Sequence, residues 1–179
     1  MKLKFGIVFA CIALLMSFGS SHAVDCKKNS VQTNRDVGMY ISDFAVSLGQ
    51  SSCPTDRLDT NNPIIALGAR VQFWFRLQGS SAYLQTGVSR QPFDVRFFKK
   101  AGNTRVFFDV IEVAAINPQR VASEIAANKG RFDWRIYVRK RVFFTPGTYV
   151  LMVSQGNKNI CFEQQNGQLA CEQEFKVAS

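Results

Sequence analysis

Residues 69–78 (ARVQFWFRLQ) alternate without a break, with Ala69, Val71, Phe73, Phe75 and Leu77 on one side and Arg70, Gln72, Trp74, Arg76 and Gln78 on the other. Residues 131–142 repeat the pattern, setting Phe132, Trp134, Ile136 and Val138 against Arg131, Asp133, Arg135, Tyr137, Arg139 and Arg141. A period of two over ten residues is a pleated strand with one face buried and one wet. A helix would repeat its apolar stripe at three and four residues instead. The chain is therefore committed to packed antiparallel sheets.

The rest of the chain supplies the neighbours. Residues 38–48 (GMYISDFAVSL) read as a first strand, and residues 49–63, rich in Ser, Asp, Asn and Pro, as a loop. Residues 79–90 read as a looser connection with a short strand at 82–84. Residues 92–99 and 104–113 form a hairpin about Ala101-Gly102-Asn103. The doublets Phe97-Phe98 and Phe107-Phe108 put rings on both faces of that hairpin, which calls for cover on both sides or for a surface that meets a partner. Asn117-Pro118 is a helix start, Val121, Ala122, Ile125 and Ala126 an apolar stripe, and Lys129-Gly130 a stop. Further strands are expected at 148–154, 159–163 and 169–177. The segment Thr145-Pro146-Gly147-Thr148-Tyr149 resembles the P-G-x-Y entry to a late strand in many immunoglobulin-like bacterial sandwiches. The expected fold is mainly β: an antiparallel immunoglobulin-like β-sandwich of seven to eight strands with one short helix near 118–128.

Residues 1–23 have the layout of a secretory signal peptide: Lys2 and Lys4, an apolar run at 5–18, then Ser21-His22-Ala23. That run is short for a membrane span, and no later stretch approaches the roughly 20 apolar residues a span needs. The mature chain is thus expected to have no transmembrane span. Asp25 before Cys26 does not fit a lipoprotein signal, and no Asn-x-Ser/Thr sequon occurs. The expected organisation is a signal peptide at 1–23, an N-terminal arm at 24–37 and a single domain at 38–179. The expected location is the periplasm or the exterior of a bacterium.

Cleavage after Ala23 removes Cys11 and His22, leaving four of the five cysteines and none of the one histidine. An even set of cysteines in an oxidising compartment reads as disulfides. A three-residue loop at Gln165-Asn166-Gly167 makes Gln164 face Gln168 and Cys161 face Cys171 on a non-hydrogen-bonded pair, with Cα atoms about 4.5 Å apart. The expected bridges are therefore Cys161–Cys171 and, by elimination, Cys26–Cys53.

Without histidine the mature chain offers no Ser-His-Asp or Cys-His arrangement and no histidine-bearing metal site. Phosphate-binding glycine motifs are absent as well. Asp94, Asp109, Glu112, Glu124 and Asp133 show no spacing that selects a carboxylate pair. The chain is expected to be no enzyme and to use neither cofactor nor metal. Charge is concentrated in the middle: residues 68–142 carry fourteen basic and five acidic side chains, a surplus of nine, whereas the flanks 24–67 (four against five) and 143–179 (two against three) are each at −1. Arg70, Trp74 and Arg76 on one strand, and Arg131, Arg135, Tyr137, Arg139 and Arg141 on another, make a candidate ligand-binding face. Arginine forks there would meet paired oxyanions, with the aromatic rings as anchors. The leading expectation is an exported, non-catalytic binding domain for an anionic partner: a lipid head group, an acidic polysaccharide or an acidic protein, with nucleic acid disfavoured. The alternative is a structural or assembly subunit of an envelope or secretion complex, associating through strand edges or the Phe-rich surface.

Overall fold

The computed structural model describes residues 38–49, 54, 56–59, 62–85 and 90–179. The expected signal peptide, the arm and the Cys26–Cys53 bridge lie outside those residues.

Two sheets are packed face to face. The strands are β1 (Met39–Ser47), β2 (Ile64–Ala66), β3 (Arg70–Ser80), β4 (Phe93–Ala101), β5 (Thr104–Val113), β6 (Arg131–Val142), β7 (Gly147–Gln155), β8 (Lys158–Ile160), β9 (Phe162–Glu163), β10 (Leu169–Ala170) and β11 (Gln173–Ala178). The first sheet runs β10-β9-β1-β3-β6, and the second β2-β11-β7-β4-β5, with β8 also paired to β7. Most pairings are antiparallel; β1 with β9 and β2 with β11 are parallel. The architecture is the expected mainly β sandwich.

The two alternating stretches are neighbours. β3 and β6 pair antiparallel, with Phe73 opposite Val138, Phe75 opposite Ile136 and Leu77 opposite Trp134 on the inner side. The facing sheet contributes Phe97, Tyr149, Leu151 and Phe175. At the centre Phe73 lies 5.1 Å from Phe97 and 5.4 Å from Phe175, and Phe143 lies 5.3 Å from Phe175, measured between ring centroids. Each such pair adds about 0.5–1.5 kcal/mol beyond its area burial. The Tyr149 hydroxyl donates to the Thr145 carbonyl at 2.9 Å, so the turn resembling P-G-x-Y closes on its own tyrosine.

The strand count exceeds the expected seven to eight for a specific reason. The expected strand at 159–163 divides into β8 and β9, and that at 169–177 into β10 and β11. β8 and β11 pair with β7 in the second sheet, while β9 and β10 belong to the first. The chain thus changes layers at Cys161 and returns at Cys171. These two residues form the expected disulfide, with Cα atoms 3.9 Å apart. The hairpin register is the one anticipated: Gln164 N donates to Gln168 O at 2.8 Å, and Gly167 has a left-handed φ of 77°.

A second difference lies at 82–84. That segment is not a strand but a helical turn, α1 (Ala82–Gln85), with Tyr83 buried 5.2 Å from the Phe132 ring. The Ser80 hydroxyl accepts from Ala82 N, a local bond that favours a turn over a ladder. The expected helix is present as α2 (Pro118–Ala127), where the Asn117 side chain accepts from Gln119 N and Arg120 N. Among the described residues no helix is long and apolar enough to cross a membrane.

Candidate functional site

The β3–β6 register sets the candidate ligand-binding residues side by side on the outer side of the first sheet. Trp74 stands opposite Tyr137, and Arg76 opposite Arg135. On the other flank Ala45 and Asp43 of β1 complete the same two rows. The face is nevertheless not the wet one that strict alternation leads one to expect. Trp74 is 1% exposed, and Tyr40, Ser47, Gln72, Gln78 and Asp133 are buried with it.

Polar groups buried this way need partners, and several satisfy one another. The Tyr40 hydroxyl donates to Gln78 Oε1 at 3.1 Å. Arg57 reaches in from the loop after β1 and donates to Asp43 at 2.7 Å. Arg76 holds both oxygens of Asp133, Nε at 3.0 and 3.1 Å and Nη2 at 2.5 Å, with side-chain exposures of 16% and 2%. Two arginines directly opposite would repel; Asp133, two residues before Arg135, supplies the intervening charge.

Arg141 leaves the stripe. A bulge between Val71 and Phe73 places it opposite Val71 rather than in line with Arg139. Its guanidinium forms an ion pair with Asp109 of β5, bridging the adjacent edges of the two sheets. Of the eight candidates, Arg70, Tyr137 and Arg139 are exposed, Arg131 and Arg135 half-buried, Trp74 buried, and Arg76 and Arg141 engaged in ion pairs.

The Phe-rich hairpin presents a different surface. β5 is an edge strand: β4 pairs with it on one side, and no described strand pairs with it on the other, where Arg141 of β6 reaches Asp109 from the facing sheet. Val106 and Phe107 are 57% and 58% exposed, and Phe108 and Val110 are exposed with them. Phe107 meets Phe98 across the ladder at 5.9 Å, while Phe108 turns inward at a bulge and stacks on Phe143 at 5.6 Å. Beyond Phe98 the same row reaches Val150 of β7, which is buried. Charges ring this apolar strip, and three of its cations are paired: Arg96 with Asp94, Lys100 with Glu174, and Arg105 with Glu172. The Lys100–Glu174 bridge joins β4 to β11 across β7 and so passes over Val150.

One aromatic that sequence alone placed with the core has a second role. Trp134 is only partly buried, and the Arg120 guanidinium of α2 lies 5.0 Å from its ring centroid. The signal available was a cation in the first turn of a helix, an uncommon place for one.

No family model matches the sequence, and no curated protein matches it. Among solved structures the chain is similar to an immunoglobulin-like protein from Pseudomonas aeruginosa, at 16% identity and a TM-score of 0.38 over 80% of this chain and 98% of that one. It is also similar to a Niemann-Pick type C2 protein from the Japanese carpenter ant, at 9% identity and a TM-score of 0.40 over 82% and 98%. A third is a CARDB domain from Pyrococcus furiosus, at 8% identity and a TM-score of 0.34 over 84% and 100%.

Proposed function

We propose that this chain is an exported, non-catalytic interaction domain of the bacterial envelope or exterior, and that its free edge β5 takes an extended apolar segment of a partner protein as an added strand. The observation that carries this reading is the edge itself, a ten-residue strand with Val106, Phe107, Phe108 and Val110 exposed. A row of unpaired backbone groups is a template for strand addition. Phe107 and Val110 are already about half covered, so burying the remainder would contribute about 1 kcal/mol each. The cations beside the strip, Arg96, Lys100 and Arg105, are already paired with carboxylates, so the complementary segment is apolar rather than acidic. A second copy paired about the strand centre would set one bulge against the other and lose ladder hydrogen bonds. Export is supported by the leader-like first 23 residues and by the Cys161–Cys171 disulfide, a bond kept in oxidising compartments.

The test is photocrosslinking in producing cells from position 107, with position 139 as control, followed by amide exchange on the purified complex. One protein captured from 107 and not from 139, with slowed exchange along β5 and loss on Val110→Pro, is the expected result. Unchanged β5 exchange in the complex overturns the reading. Crosslinking of the chain to itself, with a dimer on sedimentation, overturns the choice of occupant.

A second reading keeps the anionic partner, on the observation that Arg70, Tyr137 and Arg139 remain exposed. Heparin binding that weakens with salt, and weakens further in Arg139→Glu, would support it. Salt-independent binding would dismiss it.

A further inference from the structure

Where α2 packs on β6, Arg120, Asp133, Trp134 and Arg135 line an open cleft of about 240 Å3. Arg120 is set in the first turn of α2, where the helix's own positive end disfavours a cation. Its guanidinium carbon lies over the Trp134 ring, 5.0 Å from the centroid, so the ring is its cation–π partner. Arg135 comes from the neighbouring strand position, and its Nη2 is buried without a hydrogen-bond partner. The recorded hydrogen bonds of the Asp133 carboxylate all come from Arg76, so Asp133 offsets part of the positive charge here without hydrogen-bonding Arg120 or Arg135. Two arginines therefore line one small cleft in which the carboxylate among the lining residues, Asp133, is held by Arg76.

We propose that this cleft binds an oxyanion head group, the phosphate, sulfate or carboxylate of a larger ligand, with Arg120 and Arg135 as its two prongs. An oxyanion offers both arginines a charge-assisted acceptor, with a rotation of the Arg135 side chain bringing its buried, unpartnered Nη2 to the cleft. The volume falls below the roughly 300–1,000 Å3 of pockets that enclose a whole small ligand. Only the head group is held, and the remainder lies over the open side. The site is separate from the β5 edge. It shares Arg135 with the arginine face but needs none of Arg70, Tyr137 or Arg139.

The test is an NMR titration of the whole chain, reading the Trp134 indole N–H, which Trp134→Phe identifies. The probes are inorganic phosphate, glycerol phosphate and glucuronate, each at constant ionic strength set with chloride. Glycerol phosphate stands for a lipid head group, and glucuronate for an acidic sugar. The expected result is a saturating shift with at least one probe, and about tenfold or greater weakening in both Arg120→Gln and Arg135→Gln. Arg120 is exposed on its helix, so its loss does not threaten the fold. Arg139→Gln is expected to leave the affinity unchanged. No saturating shift with any probe overturns the proposal. So does equal weakening by Arg139→Gln, which would assign the binding to the open arginine face, or unchanged binding in Arg120→Gln.

Discussion

Replacing Cys161 and Cys171 together by Ala opens a ring whose ends are ten residues apart in sequence. In the chain-entropy treatment, closing a loop of that length removes about 2.7 kcal/mol of freedom from the unfolded chain. For a domain of this size that is a fall in melting temperature of about 5–11 °C. The location of the loss is as informative as its size. The β9–β10 hairpin is attached to β1 by one strand register, Ile41 opposite Phe162, together with the Ile41 N–H donating to Cys161 O at 2.8 Å. Phe162 is buried edge-on against Phe44 at 5.6 Å. Without the bridge the hairpin can leave the first sheet while β3, β4 and β7 stay paired. Differential scanning calorimetry and amide exchange, both under oxidising conditions, check this. The Ile41 and Gln164 amides should lose more protection than those of β7. A melting temperature within about 2 °C of the parent, or an Ile41 amide as protected as before, would refute the reasoning.

Asp133→Asn strips Arg76 of its two-oxygen partner and should cost about 3 kcal/mol, seen as a lower urea midpoint with an unchanged slope. Trp74→Ala should destabilise by about 3–5 kcal/mol, because the ring is buried, whereas Tyr137→Ala opposite it should cost under about 1 kcal/mol; chemical denaturation separates the two. Burial pushes the Tyr83 hydroxyl above its ordinary value of 10.0, against the opposing pull of its hydrogen bond to Gln155. A raised folded value means that stability is fully present below about pH 10 and is lost as pH climbs from there through the folded pKa. Thermal melts from pH 8 to 12 should show that alkaline loss, and Tyr83→Phe should make it shallower.

The sandwich was legible because its longest strands, β3 and β6, alternate over almost their whole length and happen to be neighbours. The Cys161–Cys171 pair was legible because a glycine in a short loop fixes a register, and a register fixes which residues face. Strand 159–163 could not be divided from sequence, since the change of layer at Cys161 depends on β1 standing beside β9. The face around Trp74 was harder still. Period two separates inside from outside, but it does not say that outer polar side chains will seal one another, as Tyr40 with Gln78 and Arg76 with Asp133 do. The bulge that diverts Arg141 is one added residue, invisible to counting by twos. Exposure of β5 follows from strand order alone: the same Phe107 in a central strand would have been core.

The segment from Lys158 to Ala178 places β8 and β11 beside β7 and β9 beside β1, and among the described residues β11 is the only strand paired with β2. Both layers are thus completed by a segment far from β1 in sequence. A chain emerging from synthesis at about 5–20 residues per second has its first strand exposed for many seconds before that segment arrives. Pairings so distant in sequence are also slow to form. Folding of this domain consequently waits on residues 158–178, which lie far from β1 in sequence.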